Sequence, residues 1–133
     1  MIAVEEAWQT ALATATSTAT LWIHGDIHAR NTLVEGGKIT GIIDWGDVTS
    51  GDAATDLASI WGLFEDPSAR CDAIKSYEPN ADLLCLAIGW DVSFGALLLD
   101  TGLVDHPRHA VMGENILRRI GQDGTSLRGD SGE

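Results

Sequence analysis

A chain of 133 residues has room for one domain around one hydrophobic core. Its 44% apolar and 21% charged content is ordinary for a globular protein, which excludes wholesale disorder and fibrous repeats. Twenty acidic against eight basic residues leave a net charge of -12, which repels phosphate backbones and anionic lipid, so nucleic acid and membranes are set aside as partners. Cationic or metal-bridged partners suit this balance better, and a solvated acidic surface is the plainer account of it.

In chain order, the Ala-rich residues 5–16, with Trp8 and Leu12 at helical spacing, predict a helix. The start of the chain carries no basic stretch ahead of an apolar run, so no secretory signal is read there and a cytoplasmic location is expected. Leu21-Trp22-Ile23 is a short apolar strand leading into His24-Gly25-Asp26. Residues 32–44 then read as a β-hairpin about Gly36-Gly37, and 45–51 as a loop. Asp52 can cap a helix running to about Glu65, and residues 69–77 form another. Asp82 precedes a long apolar helix ending near Gly102; its run from Leu83 to Leu99 contains Asp91 and falls short of a membrane span of about 20 residues. Asp105 is expected to cap a last helix, with Pro107 in its first turn and an end at about Ile120. The Gly- and Ser-rich residues 121–133 read as a disordered tail, where Arg128-Gly129-Asp130 is a chance tripeptide. Cys71 and Cys85 have no metal-ligand or redox spacing and are expected as buried free thiols; the five tryptophans are expected mostly in the core.

The chemistry concentrates around the hairpin. With Gly36 and Gly37 in the turn, Glu35 faces Lys38, and counting outward Asn31 faces Ile42, with Asp44 two residues further on. The period-two alternation of a strand then sends Asn31 and Asp44 out of one face as diagonal neighbours, about 7–8 Å apart at Cα. An amide oxygen and a carboxylate are hard ligands suited to Mg²⁺ shared with phosphate oxygens. Asp26 lies five residues before Asn31, so a short loop keeps a third oxygen-bearing group nearby. One positioning acid and two metal ligands form the set that phosphoryl transfer uses. Each residue alone would pass as a turn former; their joint spacing is what points to a site.

His24-Gly25-Asp26-Ile27-His28-Ala29-Arg30-Asn31, then Ile42-Ile43-Asp44-Trp45-Gly46-Asp47, then Gly51-Asp52-Ala53-Ala54-Thr55-Asp56-Leu57-Ala58 resembles the aminoglycoside phosphotransferase family, closely over residues 22–58 and more loosely to about Ile120. The resemblance implies an α+β, mostly helical fold, the C-terminal lobe of a protein-kinase-like architecture carrying one small β-hairpin, over residues 1–120. It implies Asp26 as the catalytic aspartate, and Asn31 and Asp44 as ligands of the magnesium of ATP or GTP, which would donate a phosphate to a hydroxyl on a small acceptor, cationic if the acidic balance is a guide. It also implies that Asp52 and Asp56 are scaffold, tying the following helix to the catalytic loop. The family's N-terminal lobe, with its phosphate-covering loop and phosphate-pairing lysine, has no counterpart here: no G-x-G-x-x-G occurs, and the two lysines, Lys38 and Lys75, sit on the hairpin and on a helix.

Half a cleft is expected to lose most of the rate, because phosphoryl transfer depends on positioning and charge stabilisation. The isolated chain is therefore expected to be inactive, and its exposed inter-lobe face to favour a homodimer. Two other readings stand beside this one: a non-catalytic remnant or interaction module that keeps the fold, and metal-dependent hydrolysis through His24-x-Asp26-x-His28. Against the last, His24 is expected to bond backbone and His28 to line the cleft. Trp45 is expected to pack and set its loop. Trp90 and Asp91 are expected either to line an acceptor pocket or to pack in the core with the acid satisfied.

Overall fold

In a computed structural model the chain is described over residues 2–17 and 19–129, with side chains over 3–17 and 19–124. It is mostly helical, with two small antiparallel strand pairs. The helices are α1 (Ile2–Ala13), α2 (Ala53–Leu57), α3 (Ser59–Leu63), α4 (Pro67–Tyr77), α5 (Ala81–Val104) and α6 (Pro107–Gly129). The strands are β1 (Leu21–Ile23), β2 (Thr32–Glu35), β3 (Lys38–Ile42) and β4 (Thr49–Gly51).

Helices α5 and α6 form the main pair, with α1 laid over both, α2 against α5 and α3 against α6. Their interior holds Leu57, Ile60, Trp61, Leu86, Val92, Ile116 and Ile120. The α5–α6 approach is close: a Cβ on Gly113 would collide with the backbone of Gly95 and Leu99. Side-chain caps begin α2, α4 and α5, Asp52 accepting from Ala54 N, Asp66 from Ser68 N and Asn80 from Leu83 N, each satisfying a donor that the first turn leaves open.

Several expectations change. Asp105 follows the end of α5 and closes it, while His106 supplies the carbonyl that opens α6. Helix α6 does not stop at Ile120 but runs to Gly129, so residues 121–129 are not a loose tail; 130–133 lie outside the described residues. The polar composition misleads because Asp123 from this extension is bound into the body. Its carboxylate accepts from Arg70 Nε (2.9 Å) and Nη2 (2.7 Å) and from Trp61 Nε1 (2.9 Å). At 24 residues, α5 does reach the length and apolarity of a membrane span, although α1, α2 and α6 pack on it here. Of the tryptophans, Trp61 is buried, whereas Trp22, Trp45 and Trp90 are exposed, Trp22 at 81%. Both cysteines are free, but Cys71 is exposed and Cys85 half-buried, so burial was overestimated for them.

The region read as a loop before Asp52 contains β4, which pairs with β1 in the register Leu21–Gly51, Trp22–Ser50 and Ile23–Thr49. The Gly36-Gly37 turn is as expected, both residues taking the positive φ that a tight two-residue hairpin turn requires. Glu35 pairs with Lys38 and Val34 with Ile39, but a bulge follows: Leu33 faces Gly41 and Thr32 faces Ile42. One extra residue on β3 therefore moves Asn31 opposite Ile43, whose N–H donates to the Asn31 carbonyl at 2.9 Å.

Candidate active site

The loop between β1 and β2 is fixed from both ends. His24 is 2% exposed; its Nδ1 accepts from Asp26 N at 3.2 Å, which leaves the proton on Nε2 to donate to Ile43 O at 2.8 Å. With both ring nitrogens engaged by backbone, His24 is no metal ligand, and the His24-x-Asp26-x-His28 hydrolase arrangement does not form. Trp45 packs edge-on against this imidazole at 4.6 Å between ring centroids and donates from Nε1 to Ile42 O, so it sets the loop as expected. Asp56 on α2 accepts from the backbone N–H groups of His24 (2.6 Å) and Gly25 (3.0 Å). This is the tie expected of Asp56; Asp52 acts only as the cap of the same helix. Gly25 has φ +87°, and a Cβ there would press on Asp47 O at 2.9 Å, so this turn admits only glycine without a shift.

Asp26 and Asn31 are brought together. Asn31 is buried, and its Nδ2 donates to Asp26 O at 2.9 Å and to Asp26 Oδ2 at 3.2 Å. His28 accepts at Nδ1 from Arg30 N, placing its proton on Nε2, which faces Asp26 Oδ2 at 3.4 Å. The Asp26 carboxylate thus accepts from one amide, with the His28 imidazole beside it, in a half-exposed position open to a third group.

Asp44 is positioned otherwise than expected. The bulge removes the simple diagonal relation with Asn31, and β3 has ended two residues earlier. Its backbone is instead left-handed, at φ 58° and ψ 67°, directly after the Ile43 peptide whose N–H bonds Asn31 and whose carbonyl bonds His24. A non-glycine residue in this conformation is costly and is concentrated at functional turns. The Asp44 side chain is exposed, and no hydrogen bond joins it to Asp26 or Asn31. Among the described residues no three His, Cys, Asp or Glu side chains gather as a metal cluster. An amide oxygen and one carboxylate fit a hard cation whose remaining ligands come from phosphate and water, and do not fit a cation held by protein alone.

Asp26 opens onto a cavity of about 960 Å³ between this loop, α5 and the start of α6. His28 lines it as expected, and His106 and His109 line it too. Phe94 on α5 lines it too, with Trp90 stacked behind at 5.7 Å. Nothing local in the sequence marks His106, Arg108 or Phe94, because only the α5–α6 turn brings them to Asp26.

A model of the phosphotransferase enzyme family, APH, matches residues 1–88. The chain belongs to this family. The match includes the whole loop-and-hairpin site and ends within α5, so most of the α5–α6 pair lies beyond it. Searches of curated proteins and of solved structures give no significant match.

Proposed function

We propose that this phosphotransferase-family chain carries the catalytic-loop half of a nucleotide-dependent small-molecule phosphotransferase. Asp26 orients the acceptor hydroxyl and takes its proton. Asn31 and Asp44 hold Mg²⁺ against the phosphates of ATP or GTP; when bound, the ion neutralises charge on the transferring group. The observation that carries this is the half-exposed Asp26 carboxylate, bonded by Asn31 with His28 beside it, at the wall of a cavity large enough for a small molecule. Asp56 supports it by fixing the loop's backbone before the acid.

The test is nucleotide binding with and without Mg²⁺, followed by phosphate transfer to a panel of hydroxyl compounds. The chain by itself is expected to give little or no transfer, since half a cleft supplies only part of the positioning and charge stabilisation; any transfer it gives should fall about 10²-fold or more in Asp26→Asn while nucleotide binding is unchanged. Asn31→Ala should weaken Mg²⁺-dependent binding.

The absence within these 133 residues of a G-x-G-x-x-G loop, and of a lysine on a strand leading from such a loop, favours a second reading, a module that keeps the fold without the reaction. It predicts flat calorimetry with Mg²⁺ and nucleotide beside a cooperative melt. The exposed Trp22, Leu33, Val34 and Ile39 fit a second copy of the chain as a partner, which light scattering in solution reads directly.

A further inference from the structure

The acidity of the chain stops at the cavity beside Asp26. Asp26 is the one acidic side chain among the described residues lining it, against Arg30 and Arg108, and three of the four histidines join them. Two arginines to one aspartate invert the sign of a molecule carrying -12. The opposite wall is apolar: Phe94, Leu97 and Leu98 share one face of α5, and Ile27 and Met112 close around them.

The basic side is also arranged against the interests of folding. Helix α6 has no acidic residue in its first turn; it opens instead with Arg108 and His109, and the ring of His106 lies 5.0 Å from that of His109. Cations at a helix N-terminus oppose the positive end of its dipole. Asp105, the nearest acid in sequence, closes α5 and is not part of the cavity wall. An anion placed in the cavity would relieve this local conflict, whereas a polyamine would add to it.

We infer that the acceptor at this site is a hydroxylated organic acid with an apolar body: its carboxylate meets Arg108 and the start of α6, its chain lies on Phe94, Leu97 and Leu98, and its hydroxyl faces Asp26. The inference rests on the proposed role of Asp26 for the word acceptor, and on the cavity alone for the ligand class. It departs from the cationic acceptor that net charge suggests, because the charge lining a cavity, not the total, selects what enters it.

Three probes that differ only at one end separate the possibilities: 8-hydroxyoctanoate, 1,8-octanediol and 8-amino-1-octanol, titrated into the whole chain and followed by calorimetry or by NMR shifts of α5 and α6. The acid should bind about fivefold or more tighter than the diol, with the amino alcohol weakest. Arg108→Ala, an exposed change, should remove that advantage and leave diol binding unaltered; Arg108→Lys should restore part of it. Equal or tighter binding of the amino alcohol overturns the inference, as does an Arg108→Ala variant that keeps the acid's advantage. Displacement of the acid by metal-free ATP also overturns it, since the basic wall would then serve the donor. Should the acid bind through Arg108 while no phosphate transfer is found, the reaction assignment fails and the ligand class stands.

Discussion

Two encounters between an arginine and a carboxylate secure helix α6, and they differ in completeness. At the corner of α3, α4 and α6, Arg70 is fully buried and each side of its guanidinium is used: Nε and Nη2 grip Asp123, and Nη1 donates to Phe64 O and Glu65 O. Along the α5–α6 seam, Asp91 is 3% exposed with Oδ2 unbonded, and Arg119, whose Nη1 donates to Trp61 O and Gly62 O, leaves Nε unbonded. Burial pushes the Asp91 carboxyl up to about 8, and the attraction of Arg119, pulling the other way, does not offset it. The same desolvation pulls Arg119 below its ordinary value. Charge proximity without hydrogen bonds does not compensate for lost water, whereas a two-pronged pair with backbone partners does.

The largest effect should come from breaking the complete pair. Asp123→Ala strands a buried guanidinium and is expected to cost about 3–5 kcal/mol in a urea titration. Next is Asp91→Asn, which should stabilise. In the folded chain the carboxyl holds its proton to about pH 8, whereas unfolded it releases it near the ordinary 3.8. The stability contributed by the protonated acid is thus complete below about pH 4 and declines as pH rises towards 8. The variant, fixed neutral, should match the parent at pH 4 and exceed it increasingly up to pH 8, by an amount on the order of a few kcal/mol. A parallel pH dependence for parent and variant would contradict this account of the seam.

Arg119→Met should be milder, at about 1–2 kcal/mol for the bonds lost at Trp61 O and Gly62 O. It should also raise the Asp91 carboxyl further, visible as a carbonyl shift titrating at higher pH. The smallest effect is expected from salt. Raising ionic strength from 0.05 to 0.5 M should change the stability of the Arg70–Asp123 corner by less than about 1 kcal/mol, because a buried pair is little screened. A large salt loss at that corner would place it nearer to solvent than its geometry implies.

How much of this was legible in the sequence depends on the range of the interaction. The Gly36-Gly37 turn, the Asp52 cap, the strand at Leu21 and the neighbouring of Asp26 and Asn31 all follow from short-range rules, and the structure has them. The tie from Asp56 to the loop was reached only through resemblance to a family, since 31 and 32 residues separate the partners. The bulge at Leu33/Val34 escaped because nothing before the fold forces Thr40 out of register. The α6 extension escaped because its composition reads as a tail, while its stabilisation comes from Arg70 and Trp61 far upstream. The unsatisfied Asp91 and the basic lining of the cavity are likewise products of tertiary packing, invisible to periodicity or net charge.

The antiparallel ladder between Leu21–Ile23 and Thr49–Gly51 closes residues 24–48 into a single ring of chain on a base of three residue pairs. Most of that ring's side chains lie outside the helical interior, so the segment is a unit able to open while α5 and α6 stay shut. Amide exchange should accordingly show two tiers, with protection in the ring lost together at a lower free energy than in the helices. A substituent that unzips the ladder would then remove the proposed role of Asp26 and leave a folded helical body behind.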